Sequence, residues 1–291
     1  MSADRNAYWA GVADEVYGLA DSSVDVEELP ERSNDECIAY GVRYQGIGGY
    51  PLFAYLTLPR GDGPYVPLFQ ATGYASVVGV PTRERSAKYA VFAPCHRGQR
   101  LADSGYQAAY PGLLTDGLPG ASSYVWRSVV ADNLRAIDVF LGRPEVDGSS
   151  LAITGNDLGA LLASLRPDVK SLLVVTPLLL LDGPGRASGT FAYPLQEYND
   201  FRRTYGNQWG EALETLSLYD PIGGATDIFA NTMIACVEGE KSTADLIAAT
   251  ILSGADVYVN VGRGFIDHAV QEDWLADATG VPRTPGPFLP R

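Results

Sequence analysis

Residues 149–165 contain, in succession, a strand-like run, a glycine turn and a helix-like run, and this arrangement strongly limits the fold. Apolar residues 151–153 precede the pentapeptide Gly-Asn-Asp-Leu-Gly at 155–159, and an apolar helical stretch follows. Glycines on both sides of the central residue permit a sharp turn from strand into helix. We therefore expect Asp157 to lie above the edge of a sheet, at the positive end of a helix dipole.

The same alternation of apolar strands and helices continues along the chain. The runs that predict strands, some of them ending in a loop or turn, lie at 37–44, 51–58, 66–74, 88–99, 169–181, 232–239 and 256–262. Helices are predicted at 7–20 and 124–142, with one more between the last two strands and another after them. This order predicts the α/β class, with a mostly parallel central sheet and helices on both faces. We divide the chain into an N-terminal helical extension, 1–36, and one domain, 37–291, with an insertion at about 182–231.

Composition excludes several classes of partner and site. The net charge of −14 disfavours nucleic acid and anionic membrane surfaces. Three widely spaced cysteines argue against a disulfide framework or a zinc site, and we predict no metal and no cofactor. The longest apolar stretch, 172–181, is too short for a membrane span, and the first residues lack the cationic start of a secretory signal. We expect a cytoplasmic protein.

Asp157 has two interpretations on these five residues alone. Aspartate before a helix is a common N-cap, in which the carboxylate accepts a hydrogen bond from a helical amide. The alternative is an active-site nucleophile, because Gly-x-Ser-x-Gly between a strand and a helix forms the nucleophile elbow of α/β hydrolases. A histidine base for such a site has two candidates, His96 and His268, since the chain contains no other histidine.

Six stretches in order resemble the acetyl xylan esterase and cephalosporin C deacetylase group of carbohydrate esterases, over about 37–274. They are Thr-Gly-Tyr at 72–74, Arg-Gly-Gln at 97–99, a long helix ending in Pro-Glu-Val-Asp at 124–147, Thr-Pro-Leu-Leu at 176–179, and residues 197–202 and 216–221. The resemblance implies an α/β-hydrolase fold and an oligomer, because that family commonly forms rings of paired trimers. The chain departs from the family at the elbow, where Asp157 and Leu158 stand in place of serine and glutamine.

The resemblance also implies roles for other residues. The family's acid corresponds to Glu240, with Glu238 in reserve, and its histidine corresponds to His268. Either residue could instead be structural or solvated. The backbone amides of Tyr74 and Leu158 would form an oxyanion hole or hold a leaving anion. We expect His96 to be a possible substrate contact, and Arg97 and Gln99 to be structural residues near the site.

An aspartate at the elbow changes the expected chemistry. A carboxylate that attacked an acetyl ester would give a mixed anhydride, whereas at an sp³ or activated aromatic carbon it forms an ester intermediate. Elbow aspartates act in this way in haloalkane dehalogenases and epoxide hydrolases, an analogy between sites. We therefore predict a hydrolase that cleaves an ether, epoxide or carbon–halogen bond through Asp157, with His268 activating water.

Two alternatives to this prediction remain open. The chain could be a catalytically silent hydrolase-fold subunit of a hetero-oligomer, or an esterase or deacetylase that uses Asp157 as a general base. The expected partners are a small substrate of apolar or aromatic character and further subunits, identical or different. Substitution of Asp157 by asparagine separates the alternatives, since it should abolish activity only if the carboxylate takes part in the reaction.

Overall fold

The structure is a computed structural model, and it describes residues 2–20 and 22–283. Strands in this part of the chain form one nine-stranded sheet. They are β1 (Asp25–Glu28), β2 (Cys37–Gln45), β3 (Pro51–Pro59), β4 (Pro67–Ala71), β5 (Ala90–Cys95), β6 (Ala152–Gly155), β7 (Ser171–Val175), β8 (Asn231–Cys236) and β9 (Ala255–Val259).

Helices connect the later strands and extend the chain at its start. They are α1 (Ser2–Tyr17), α2 (Arg83–Ser86), α3 (Val125–Leu141), α4 (Asp157–Leu165), α5 (Gly183–Ala187), α6 (Gln196–Thr204), α7 (Trp209–Ser217), α8 (Lys241–Thr250) and α9 (Gly264–Thr279). Short 3-10 helices lie at Pro30–Arg32, Ile47–Gly49, Gly206–Gln208, Pro221–Asp227 and Glu238–Glu240. The predicted long helix at 124–142 is confirmed as α3.

The spatial order of the strands is β1-β2-β3-β5-β4-β6-β7-β8-β9. The first three strands and β5 pair antiparallel in succession, and all neighbours from β5 to β9 pair parallel. The parallel strands therefore share one carboxyl edge, and the turns that leave this edge are where ligands bind in open α/β sheets.

Helices cover both faces of the sheet, which explains why the central strands read as continuous apolar runs. Leu68 of β4 packs with Leu275 of α9, whereas its neighbour Phe69 faces the larger cluster that holds α1, α3 and α4. Both side chains are fully buried. The predicted class, an α/β-hydrolase fold with a mostly parallel sheet covered on both faces, is confirmed.

The N-terminal segment is tied to the rest of the fold by specific hydrogen bonds. The Tyr8 hydroxyl donates to the Ala121 carbonyl at 2.8 Å, and the Trp9 indole N–H donates to the Leu218 carbonyl at 2.9 Å. The segment also contributes β1, which pairs with β2 at the sheet edge and which the sequence did not predict. The helix begins and ends earlier than the predicted 7–20, at Ser2–Tyr17.

The predicted insertion at about 182–231 corresponds to α5, α6 and α7 with their connections, between β7 and β8. It lies over the carboxyl edge, where the Tyr198 hydroxyl donates to the Leu179 carbonyl at 3.3 Å. None of the helices in the described part of the chain combines the length and apolar character that crossing a lipid bilayer requires.

Candidate active site

The turns after β4 and β6 meet at the centre of the carboxyl edge. Ala71 and Gly155 are direct partners in the parallel ladder. A β-carbon on Gly155 would lie 2.3 Å from the Ala71 carbonyl oxygen, so only glycine permits this approach. The turn after β4 also packs closely against the elbow, because a β-carbon on Gly73 would lie 2.8 Å from the side-chain amide of Asn156.

The elbow has a different cap and a different backbone from those its pattern predicts. Asn156 is the N-cap of α4, and its Oδ1 accepts a hydrogen bond from the Leu158 amide at 3.1 Å. Asp157 is the first residue of the helix, so its interpretation as the cap is wrong. Among the described non-glycine residues only Leu101 and Asp182 have a positive φ, and the elbow is therefore not a strained turn.

The Asp157 carboxylate is completely buried. Its Oδ2 accepts three hydrogen bonds from consecutive backbone amides, those of Leu179 at 2.7 Å, Leu180 at 2.5 Å and Leu181 at 2.8 Å. Its Oδ1 is buried and has no hydrogen-bond partner among the described residues. Burial raises the pKa of Asp157 to about 6, although the three amides and the Arg186 charge oppose the rise.

The segment that supplies these amides is not the strand that its apolar character predicts. Strand β7 ends at Val175 instead of continuing to Leu181. Residues 178–181 leave the sheet and lie over Asp157 with their side chains buried. Four leucines in a row are compatible with either a strand or a buried loop. Here they form a loop, because its backbone amides satisfy the buried Asp157 carboxylate. We call residues 178–181 the leucine segment.

Glu240 holds the same segment from the other side. Its Oε1 accepts a hydrogen bond from the Leu178 amide at 3.2 Å and forms an ion pair with Arg186. Arg186 also donates to the Leu178 carbonyl and, at 3.5 Å, to the Leu181 carbonyl. Glu238, the reserve candidate, is exposed.

His268 does not join the other two predicted catalytic residues. It lies in helix α9 and not at the end of a strand, its side chain is 51% exposed, and its Nε2 is 3.2 Å from Glu84 Oε2. The physical reason is the neighbouring Asp267, which accepts hydrogen bonds from the Val261 amide at 2.8 Å and the Arg263 amide at 3.0 Å. These bonds turn the chain into α9 before His268 is reached. Asp157, Glu240 and His268 therefore form no hydrogen-bonded chain in this structure.

The turn after β4 is held by the residues that follow β5. The His96 ring is buried, with Nε2 2.7 Å from the Gly73 carbonyl and Nδ1 2.8 Å from the Arg97 carbonyl. Burial lowers the pKa of His96, and a neutral ring donates through only one of these nitrogens. Gln99 accepts from the His96 amide at 3.0 Å and donates to the Thr72 carbonyl at 3.3 Å. Both residues are placed to fix the turn that carries Tyr74.

Arg97 lies behind this turn in an ion pair. Its Nε and Nη2 donate to the two carboxylate oxygens of Asp132 at 2.8 and 2.9 Å, and Nη2 also reaches the Ile47 carbonyl at 3.3 Å. Asp132 is 1% exposed, and its burial raises its pKa despite the Arg97 charge. Arg97 therefore links the segment after β5 to helix α3.

Tyr74 makes a contact that the sequence did not predict. Its hydroxyl donates to Glu197, which is fully buried and also accepts from the Leu114 amide at 2.7 Å. Burial raises the pKa of Glu197. Glu197 lies in a stretch that carried the family resemblance, but nothing in that stretch distinguished it from exposed acids of the same helix.

A cavity of about 150 Å³ opens beside the Tyr74 ring. Its walls include Ser76, His96, Tyr106 and Leu113, and Asp157 is not among them. The described residues contain no group of three or more histidine, cysteine, aspartate and glutamate side chains placed to hold a metal ion.

The sheet order and the elbow define an α/β hydrolase, and the comparisons narrow the class. The model of the acetyl xylan esterase (AXE1) family matches residues 1–235. The chain belongs to this family of hydrolases.

Solved structures agree with the assignment. An acetyl xylan esterase from Paenibacillus sp. R4 is 25% identical over 94% of both chains, with a TM-score of 0.80. Acetyl xylan esterase 1 from Thermoanaerobacterium sp. JW/SL YS485 is 21% identical over 92% of both chains, with a TM-score of 0.79. An acylaminoacyl peptidase from Pyrococcus horikoshii shares the fold alone, at 13% identity and a TM-score of 0.59, over 88% of this chain and 44% of that one.

The predicted ether, epoxide or carbon–halogen hydrolase gains no support from these comparisons, which point to ester hydrolysis. In this closed arrangement neither step of that reaction has its groups in place. Nucleophilic attack requires Asp157 to reach a substrate, yet its carboxylate is buried and bound to three amides. The second step requires a histidine beside the ester intermediate, yet His268 contacts Glu84 instead.

Proposed function

We propose that the chain hydrolyses small carboxylic esters, with Asp157 acting as a general base on the attacking water. The proposal takes Asp157 to stand at the position of the family's serine. The observation that carries it is a fully buried carboxylate at the start of α4, whose Oδ1 has no hydrogen-bond partner among the described residues and whose pKa burial raises to about 6. In the closed ground state this carboxyl therefore ionises as the pH rises through about 6.

Base catalysis avoids the mixed anhydride that direct attack by a carboxylate would form. Water attacks the ester carbonyl while Asp157 takes its proton, and Asp157 returns that proton to the leaving alkoxide as the tetrahedral intermediate collapses, so that acid and alcohol are formed and the carboxylate is restored. The Tyr74 amide is the oxyanion donor that the family resemblance implies. The Leu158 amide already donates to Asn156, so it would have to be shared with the oxyanion.

The closed site sets a condition on this mechanism. Asp157 is 0% exposed, so the leucine segment must move before water or an ester reaches its carboxylate. The two acetyl xylan esterases among the structural neighbours favour an acetyl ester as the first substrate to try.

The test compares wild type with Asp157→Asn on 4-nitrophenyl acetate across pH 4–8. We expect the wild-type rate to rise through pH 6 as Asp157 ionises, and the variant to lose about 10²- to 10⁴-fold in kcat/KM. Glu214→Ala, an exposed change on α7, is the matched control and should leave the rate unchanged. Equal rates for wild type and Asp157→Asn would overturn the proposal.

A second candidate function is a non-catalytic subunit. The observation that favours it is the combination of a fully buried Asp157 and a His268 that pairs with Glu84. In that case the purified chain hydrolyses no ester above the buffer rate. Asp157→Asn then changes only stability or assembly, which light scattering after size-exclusion chromatography would detect.

A further inference from the structure

We propose that Arg186 and Glu240 are positioning residues that latch the leucine segment over Asp157, so that breaking their ion pair opens the elbow. This inference rests on the proposed function only in its last step, where opening admits water and ester. It assigns Glu240 a role different from the histidine-orienting acid of a triad.

The first support is the way in which the pair grips the segment. The two side chains meet in an ion pair and are only 17% and 12% exposed. Glu240 accepts from the Leu178 amide, and Arg186 donates to the Leu178 and Leu181 carbonyls. The pair therefore holds both ends of the leucine segment through its backbone.

The second support is that Asp157 and Arg186 bind different backbone groups of the leucine segment. The carboxylate of Asp157 binds the amides of residues 179–181, so amides point inwards while the carbonyls of Leu178 and Leu181 are held by Arg186. All three amides donate to Oδ2, and water can reach the buried Oδ1 only when the leucine segment moves away. A movable segment needs a second attachment that can be released without disturbing the elbow, and the Arg186–Glu240 pair is that attachment.

The third support is the position of the pair at the edge of the sheet. Arg186 lies in the five-residue helix α5, and Glu240 lies in the 3-10 helix that follows β8. Both are in short elements beyond the strand ends, where local opening needs little loss of core packing.

The test measures amide hydrogen exchange of residues 178–181 in the full chain. Glu240→Ala and Arg186→Met should each accelerate exchange there about 10- to 100-fold, the effect of losing a charge-assisted hydrogen bond. Glu214→Ala and Arg202→Met remove an exposed acid and an exposed base of neighbouring helices and serve as controls. Unchanged exchange at 178–181, or an equal rise throughout the sheet, would overturn the latch.

A second readout follows the carboxyl ¹³C signal of Asp157. Burial is the main cause of its raised pKa, so admitting solvent should move its midpoint from about 6 towards the ordinary 3.8 in Glu240→Ala. An unchanged midpoint contradicts the latch. If exchange and midpoint respond but ester hydrolysis does not rise, the latch stands and the proposed function fails.

Discussion

The residues that resemble the family's motifs have different kinds of binding partner on the two sides of the candidate site. On the side of β4 and β5, the Arg-Gly-Gln residues bind buried partners and fix the turn that carries Tyr74. On the side of β6, β8 and β9, the positions expected to carry chemistry bind backbone amides, an arginine of α5 and a surface glutamate. The residues on the first side therefore stabilise a turn, whereas those on the second side bind the segment over Asp157 or lie at the surface.

The largest effect on stability is expected on the side of β4 and β5. There, Arg97→Met leaves the Asp132 carboxylate buried without its two charged donors. Removing one partner of a buried ion pair costs about 3–5 kcal/mol of unfolding free energy. Urea denaturation at pH 7 measures the loss. Arg100→Met, at an exposed neighbouring position, should change stability by no more than about 0.5 kcal/mol. Equal, small losses for both variants would erase the contrast between the two sides.

The second effect is a pH dependence of stability caused by Asp157. Because the folded pKa of Asp157, about 6, lies above its ordinary 3.8, the folded state binds the proton more tightly than the unfolded state. The contribution to stability is therefore complete below pH 3.8 and is lost as the pH rises through 6. The unfolding free energy of wild type relative to Asp157→Asn should fall by roughly 2–3 kcal/mol across this window.

Thermal or urea unfolding at half-unit pH steps measures this difference. Asp157→Asn removes the titrating group and keeps the shape, so ionisation of all other carboxyls cancels in the comparison. A constant difference between pH 4 and 7 would mean that Asp157 titrates normally, and would put the elbow carboxylate in contact with solvent.

The sequence predicted the sheet well, because apolar runs of strand length are buried on both faces of a parallel sheet. Strands β2 and β3 begin at the predicted residues, Cys37 and Pro51. The same logic failed at residues 178–181, since burial alone does not distinguish a strand from a loop that packs over a charge. The signal that was available is Pro177, which cannot donate to the sheet ladder and marks the end of β7.

The site was predictable in its position and less so in its connections. Motif order located the elbow, the turn at 72–74 and the acid after β8, but not the partners of those side chains. Asp267 and Glu197 are polar and buried, and their hydrogen bonds determine where α9 begins and how Tyr74 is held. The partners of Glu197, the Tyr74 hydroxyl and the Leu114 amide, are distant in sequence, so no local pattern encodes them. The amides that Asp267 binds lie only four and six residues away, but nothing in the sequence distinguished Asp267 from a surface acid.

A third effect tests how closely the elbow turn packs against β4. Gly155→Ala would place a β-carbon 2.3 Å from the Ala71 carbonyl, so β4 and β6 would have to separate. We expect a loss of about 1–3 kcal/mol of unfolding free energy. Gly148→Ala, where no atom lies within 4 Å of the new carbon, is the control and should be close to neutral. A neutral Gly155→Ala would mean that the strands are farther apart than described.

The smallest effect on stability and activity is expected at His268. The His268–Glu84 pair is largely exposed, at 51% and 33% for the two side chains, and pairs of this kind contribute about 0–1 kcal/mol. His268→Ala should therefore change stability little and leave ester hydrolysis within about twofold of wild type, since the imidazole contacts neither Asp157 nor Glu240. Parallel assays of 4-nitrophenyl acetate hydrolysis and thermal unfolding would measure both. A loss of hydrolysis with unchanged stability would instead return His268 to the active site, and would require α9 to unwind at its start so that the ring reaches the elbow.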